Sequence, residues 1–251
     1  MSGHSKWSSI KHKKGAADAR RGQLFSKLSR AIIVAARDGG PDPDGNATLA
    51  AAIQKAREAS MPKDNIERAI QRGAGGGADG DAAYEQVTYE GYGPSGVAVL
   101  VEALTDNRNR TAAEVRHVFA KNDGNLGTSG AVAWLFERRG MVLVPDSEDE
   151  DELTLAAAEG GAEDVTREGS SFQVTCAPDD LQSVREALDA AGIAYESAEL
   201  TMLPKTTVEV ADEAAAKKLL RLMDALEESD DVQDVYANFD IPEGILEAVA
   251  S

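Results

Sequence analysis

A chain of 251 residues, 42% hydrophobic and 28% charged, is long enough for two or three compact cores. Its net charge of -18 conceals a partition: residues 1–76 hold 14 Lys and Arg against 7 Asp and Glu, or +7, and the remainder 12 against 37, or -25. The lone Cys176 excludes an intramolecular disulfide and any Cys-based zinc or redox pair, and the early apolar run 31–36 is too short for a membrane span and too late for a secretory signal.

In chain order, Ala17, Leu24, Leu28, Ile32 and Ala35 recur at helical spacing, with Phe25 beside them, and predict a first helix over 16–37 with one buried stripe. Arg20, Lys27, Arg30 and Arg37 fall on its opposite side. Gly39, Gly40, Pro41 and Pro43 stop it. Asn46 or Thr48 caps a second helix carrying Leu49, Ile53 and Ala56 inward. Pro62 suits the first turn of a third, in which Asp64 and Glu67 complement the dipole, Ile66, Ala69 and Ile70 face inward, and Gly73 is the C-terminal cap. The glycines of GAGGGADG, 73–80, follow a helix rather than a strand, so they read as a linker and not as a dinucleotide loop.

Beyond the linker, 84–92 and 97–104 read as strands around the turn GYGPSG. Thr111 and Glu114 form a capping box for a helix bearing Ala112, Val115, Val118 and Phe119, and 131–136 reads as a strand after GNLGTSG. From 141 the order is strand, acidic helix to about Glu159, strand near Val165, strand 172–176 with Cys176 as a core residue, helix 179–191 and strand 195–202. That βαββαβ order fits a ferredoxin-like split fold. The last strand–helix–strand, 206–239, has too few partners to stand alone and is expected to rejoin the 84–137 sheet. The expected class is α+β: an N-terminal three-helix domain at 1–76, a middle α/β domain at 82–138 plus 204–241, and an acidic ferredoxin-like domain at 139–203 inserted into it.

The arm GHSKWSSIKHKKGAADARRG places Lys6, Lys11, Lys13, Lys14, Arg20 and Arg21 among Trp7, His4 and His12. Cations neutralise phosphates and release counterions, and an indole stacks on exposed bases, so this composition points to nucleic acid. Lys27, Arg30 and Arg37 extend the same basic face along the first helix. The alternatives are a solvated basic tail, with Trp7 packed on Ile10, and a transit-peptide-like composition in 1–17. In LTDNRNRTAAEVRH, Arg108 and Arg110 precede a helix N-terminus that attracts anions, a possible phosphate site; alternatively Asp106 and Asn107 satisfy the loop backbone and pair with the arginines. His117 has no second histidine nearby, and the run DSEDEDE, 146–152, reads as a solvated helix start.

The segments MSGHSKWSSIKHKKGAADARRGQLFSKL, MPKDNIERAI, YEGYG, LTDNRNRTAAEVRH and GNLGTSGAVAWLF resemble, in order, the YebC/PmpR family of regulators. NATLAAAI departs from the pattern near Ala51, and GAGGG lengthens the linker. The resemblance implies three domains with an interrupted second one. It also implies either a DNA-binding transcriptional regulator or a ribosome-associated translation factor, related to the mitochondrial activator of cytochrome oxidase translation. A start directly at GHSKW without a leader reads as bacterial and cytoplasmic. No Walker A loop, zinc signature, nucleophile elbow or supported carboxylate pair is present, so no enzyme activity, cofactor, metal, membrane or small-molecule substrate is expected. The rivals are a metal-dependent nuclease using the acidic run with His117, and an adaptor whose acidic domains bind a basic protein. Neither an RNA-binding signature nor a base-reading helix separates DNA from ribosomal RNA.

Overall fold

The computed structural model describes residues 17–75, 84–146, 148–169 and 171–250. Lys6, Trp7, Lys11, His12, Lys13, Lys14 and most of the glycine linker lie outside the described residues, as does the side chain of Arg20. What is described is an α+β protein: a three-helix domain followed by two α/β domains, the last inserted into the middle one.

The helical domain comprises α1 (Ala17–Gly39), α2 (Ala47–Glu58) and α3 (Lys63–Gly73). Leu28, Ile32, Ile33, Ala35 and Ala36 of α1 pack on Leu49, Ile53 and Ala56 of α2 and Ile66 and Ala69 of α3. Leu24, placed in the buried stripe by its spacing, is exposed, because the packed seam is displaced toward Ile33 and Ala36. Asn46 caps α2, its Oδ1 accepting from Leu49 N at 3.0 Å while its Nδ2 donates to Ala35 O at 2.8 Å, so one side chain ties two helices together. Gly73 is the last residue of α3 rather than its cap. A Cβ there would lie 2.4 Å from Ile33 O, so its absence allows α3 to meet α1 closely.

The middle domain is an antiparallel sheet in the order β3-β1-β2-β9, formed by β1 (Glu85–Tyr92), β2 (Ala98–Thr105), β3 (Asn125–Leu126) and β9 (Val232–Ala237). The helices α4 (Arg108–Lys121), α7 (Glu213–Glu227) and α8 (Glu243–Ala250) cover it. Phe119, Leu219, Leu222, Met223 and Phe239 are fully buried in the shared core. Strand β9 returns to the sheet as expected, but the preceding segment does not. β8 (Val208–Glu209) pairs in parallel with β10 (Phe239–Asp240) in a separate ribbon. Thr111 is not the cap of α4: Asn107 is, accepting from Arg110 N at 3.1 Å, and Thr111 lies buried inside the first turn. The helix α8 was not foreseen.

Between β3 and β8 runs the inserted domain. Its sheet, ordered β5-β6-β4-β7 and antiparallel throughout, contains β4 (Phe136–Pro145), β5 (Ala162–Glu168), β6 (Ser171–Cys176) and β7 (Ser197–Pro204). With α5 (Glu150–Glu159) and α6 (Leu181–Ala191) this is the ferredoxin-like order. Cys176 is buried in its core beside Leu153 and Val174. The expected strand 131–136 is instead a 3₁₀ turn at Ala133–Leu135, and Phe136 opens the longer β4. A small cluster of Leu100, Val132, Phe136 and Tyr236, with Leu135 and Met202 against it, fills the seam between the two sheets.

Candidate nucleic-acid interface

The basic face of α1 does not stand clear of the body. Lys27 Nζ donates to Glu227 O at 2.5 Å, and Gln23 and Arg30 donate to the carbonyls of Glu228 and Asp230. These oxygens lie at and just beyond the C-terminal end of the 15-residue α7, where unpaired carbonyls concentrate negative potential. Arg30 also lies over the Tyr84 ring at 5.8 Å, and Arg37 donates to Tyr84 O at 2.8 Å and pairs with Asp38. Among the described residues, Arg21 is the one sequence-selected cation of α1 with no oxygen partner; it rests over Phe25 at 5.5 Å.

Asp231 is the centre of this junction. It is 5% exposed, and its Oδ2 accepts from Thr111 Oγ1 at 2.7 Å, Arg110 Nη2 at 2.9 Å and Thr105 Oγ1 at 3.1 Å. Its Oδ1 lies 3.3 Å from Arg30 Nη1. Burial by itself would raise the carboxyl, but the hydrogen bonds from Arg110, Thr111 and Thr105 overcome it and hold Asp231 below the usual carboxylate range. Arg110 is thus shared between Asp231 and Asp106, and Arg108 stands 3.8 Å from Glu85. The loop pairing of Asp106 and Asn107 is present as one of the two readings had it. An added phosphate would have to compete with Asp231 for Arg110.

A second contact lies on α2. Lys55 Nζ sits 3.6 Å from Asp234 on β9 and 3.7 Å from Glu199 on β7, and the Asp234 charge foremost keeps its ammonium protonated beyond the usual range. Asp234 is the cross-strand partner of Glu102, two like charges side by side, so a cation from the helical domain relieves a repulsion within the body.

Elsewhere the chemistry is sparse. His117 is exposed on α4, and the acidic run begins α5, with Asp149 capping through the N–H groups of Asp151 and Glu152 at 3.0 Å each. Among the described residues no three His, Cys, Asp or Glu side chains form a metal-binding group, and no helix is long and apolar enough to cross a membrane.

Two features escaped the reading of the sequence. Glu90 points inward from β1 and accepts from the backbone N–H groups of Gly130, Val132 and Ala133 at 2.6, 2.7 and 2.7 Å. Burial opposes its ionisation, yet these three bonds leave its carboxyl below the usual range. It fixes the loop that presents Trp134, 65% exposed. A strand over 131–136 would have put Trp134 on the face of Val132 and Phe136, both buried; the 3₁₀ turn rotates it outward.

Fold and surface together define a three-domain α+β protein in which a basic helical module is braced on an acidic two-domain body. The chain belongs to the TACO1/YebC family: residues 5–76 match its N-terminal domain and 84–239 its second and third domains. It is 61% identical over 252 residues to a protein of Rubrobacter xylanophilus named "Probable transcriptional regulatory protein", with all of both chains covered. A protein of the same description from Desulfotalea psychrophila is 55% identical over 251 residues, again with both chains fully covered. A crystal structure of a conserved hypothetical protein from Aquifex aeolicus superposes with a TM-score of 0.81 at 53% identity, over 92% of this chain and 95% of that one.

Proposed function

We propose that this chain is a cytoplasmic, non-catalytic regulator of gene expression that binds nucleic acid through its basic N-terminal region, with promoter DNA as the leading target. The partition of charge carries the reading: +7 over residues 1–76 against -25 over the rest. A protein of net charge -18 is repelled by a phosphate backbone as a whole, so a segregated basic surface is where such a backbone first meets it. The names of its close relatives support transcription as the process.

The contacts of α1 sharpen which cations take part. Lys6, Lys11, Lys13, Lys14, Arg20 and Arg21 are the proposed phosphate ligands, with Trp7 and His12 beside them. Nucleic acid reaches Lys27 and Arg30 only by displacing the oxygens of 227–231, and Arg37 only by displacing Asp38 and Tyr84 O. Arg108 and Arg110 offer an auxiliary phosphate position under the same competition from Glu85, Asp106 and Asp231.

Fluorescence anisotropy with a labelled duplex tests the proposal. Lys13→Ala and Lys14→Ala should each weaken binding and reduce the slope of log K against log[salt] by about 1 per lost phosphate contact. Unchanged affinity and slope in both variants refute it. The same titration with ribosomal RNA, and co-sedimentation with ribosomes at moderate salt, ask whether RNA is preferred.

A further inference from the structure

The loop that joins the middle and inserted domains has a construction that neither the fold nor the basic arm requires. Glu90, 5% exposed, has no cationic partner within ion-pair distance among the described residues; both its carboxylate oxygens accept from the backbone of Gly130, Val132 and Ala133. The three N–H bonds outweigh the desolvation of this carboxylate, so the ionised Glu90 holds the surface loop in one shape. What that shape holds is aromatic. Trp134 Nε1 and Tyr92 Oη both donate to Ala131 O, at 3.2 and 3.1 Å, so two rings converge on one carbonyl and both remain exposed. Trp134 keeps 65% of its surface in solvent although Leu100, Val132 and Phe136 form an apolar cluster at the adjoining seam.

The charge beside the rings selects the ligand. Lys205, where the chain leaves the inserted domain, donates its backbone N–H to Leu135 O at 2.8 Å, which sets its backbone against the residue that follows Trp134. It is exposed and has no carboxylate within ion-pair distance among the described residues. Glu137, the acid nearest to Trp134 along the chain, is paired with Arg139 at 3.3 Å. An indole face with a lysine one residue from it across the backbone offers both elements that single-stranded nucleic acid uses: a surface on which a base stacks and a cation for its phosphate.

We propose that Trp134, with Tyr92 and Lys205, is a base-stacking platform for an unpaired stretch of nucleic acid, presented rigidly by Glu90. It rests on the nucleic-acid reading above and adds a second contact. Tyr92 closes β1, and Tyr84, beside Arg30 and Arg37, immediately precedes it. At about 3.4 Å per residue the platform therefore lies roughly 25 Å from the seat of the basic module. A strand engaged at both points is unpaired or locally opened over that span, because duplex stacking hides the base faces.

Trp7 and Trp134 are the two tryptophans of the chain, so Trp7→Phe makes Trp134 the sole indole reporter. That variant is titrated with a labelled single strand of ~16 nucleotides, as DNA and as RNA, and with the duplex of the same sequence, recording anisotropy and tryptophan emission together. The expected result is quenching of Trp134 by the single strands and not by the duplex. In the otherwise unaltered chain, Trp134→Ala should weaken single-strand binding about 5- to 150-fold, and Lys205→Ala should lower the salt slope by about 1. Circular dichroism of both variants checks that the fold persists. Binding by anisotropy without quenching, together with unaltered affinity of Trp134→Ala, overturns the platform and leaves the basic-arm reading intact. No anisotropy change with any nucleic acid, in Trp7→Phe and in the unaltered chain alike, overturns both.

Discussion

Replacing Asp231 by Ala removes one carboxylate from the junction of α1, α4 and β9, and the structure fixes the size of the effect. Four groups lose a partner: the hydroxyls of Thr105 and Thr111 and the guanidinium of Arg110 lose an acceptor, and Arg30 loses an ion pair. A hydrogen bond to a charged group contributes about 1.5–3 kcal/mol, but the four do not add. Thr111 Oγ1 already lies 2.7 Å from Thr105 Oγ1 and 3.1 Å from Asn107 O, so the hydroxyls can re-pair. Arg110 keeps Asp106 and faces solvent. Arg30, mostly shielded, keeps the Asp230 carbonyl and the Tyr84 ring but loses the carboxylate that neutralises it. Breaking a buried pair by deleting one partner destabilises by about 3–5 kcal/mol, and the available re-pairing places Asp231→Ala near the lower end, at about 3 kcal/mol. Asp231→Asn retains one acceptor and should lose about 2 kcal/mol. Urea unfolding followed by circular dichroism at pH 7 measures both. Because the folded carboxyl titrates below its ordinary value, its contribution is complete above about pH 4 and is lost as pH falls through the lowered value. The gap between wild type and Asp231→Ala should therefore close on acidification. A variant within about 0.5 kcal/mol of wild type at pH 7, or a gap that does not shrink in acid, would refute the account of this junction.

Other outcomes follow from the same contacts. Glu102→Gln should stabilise the protein by about 0.2–1 kcal/mol at pH 7, because burial, with Asp234 across the strand, pushes the Glu102 carboxyl above its usual range. The sign of that shift means the penalty is absent below about pH 4.3, so the advantage of Gln should disappear there; a destabilised variant at pH 7 would argue that Lys55 needs Glu102 more than Asp234 is repelled by it. Gly73→Ala should destabilise the helical domain by about 1–3 kcal/mol, since its Cβ would stand 2.4 Å from Ile33 O and 2.8 Å from Ala36 Cβ. A differential scanning calorimetry trace unchanged from wild type would show that α3 can shift away from α1 without loss.

The class, the order of elements and most of each core are local properties, and they are legible along the chain. Periodicity marks α1, α2 and α3, Asn46 or Thr48 announces a cap, and the βαββαβ succession specifies a split sheet, because each is read from neighbours and their order along the chain. Where reading along the chain erred, distant partners decided. Thr111 has the spacing of a capping residue, yet Asp231, 120 positions away, draws its hydroxyl inward and Asn107 caps instead. Residues 131–136 read as a strand, but Glu90 bends their backbone into a 3₁₀ turn and turns Trp134 out. Residues 208–209 pair with 239–240 rather than with the middle sheet.

The same division holds for function. Composition alone determines that a basic region precedes an acidic one, since charge is additive and needs no coordinates. Which of its cations face the body is a property of the folded surface: Lys27, Arg30 and Lys55 meet Glu227, Asp231 and Asp234 only because α7 and β9 bring those residues back from about 200 positions away to α1 and α2. An exposed tryptophan is likewise invisible to hydropathy, which counts it with the core; only the turn set by Glu90 shows that it faces solvent.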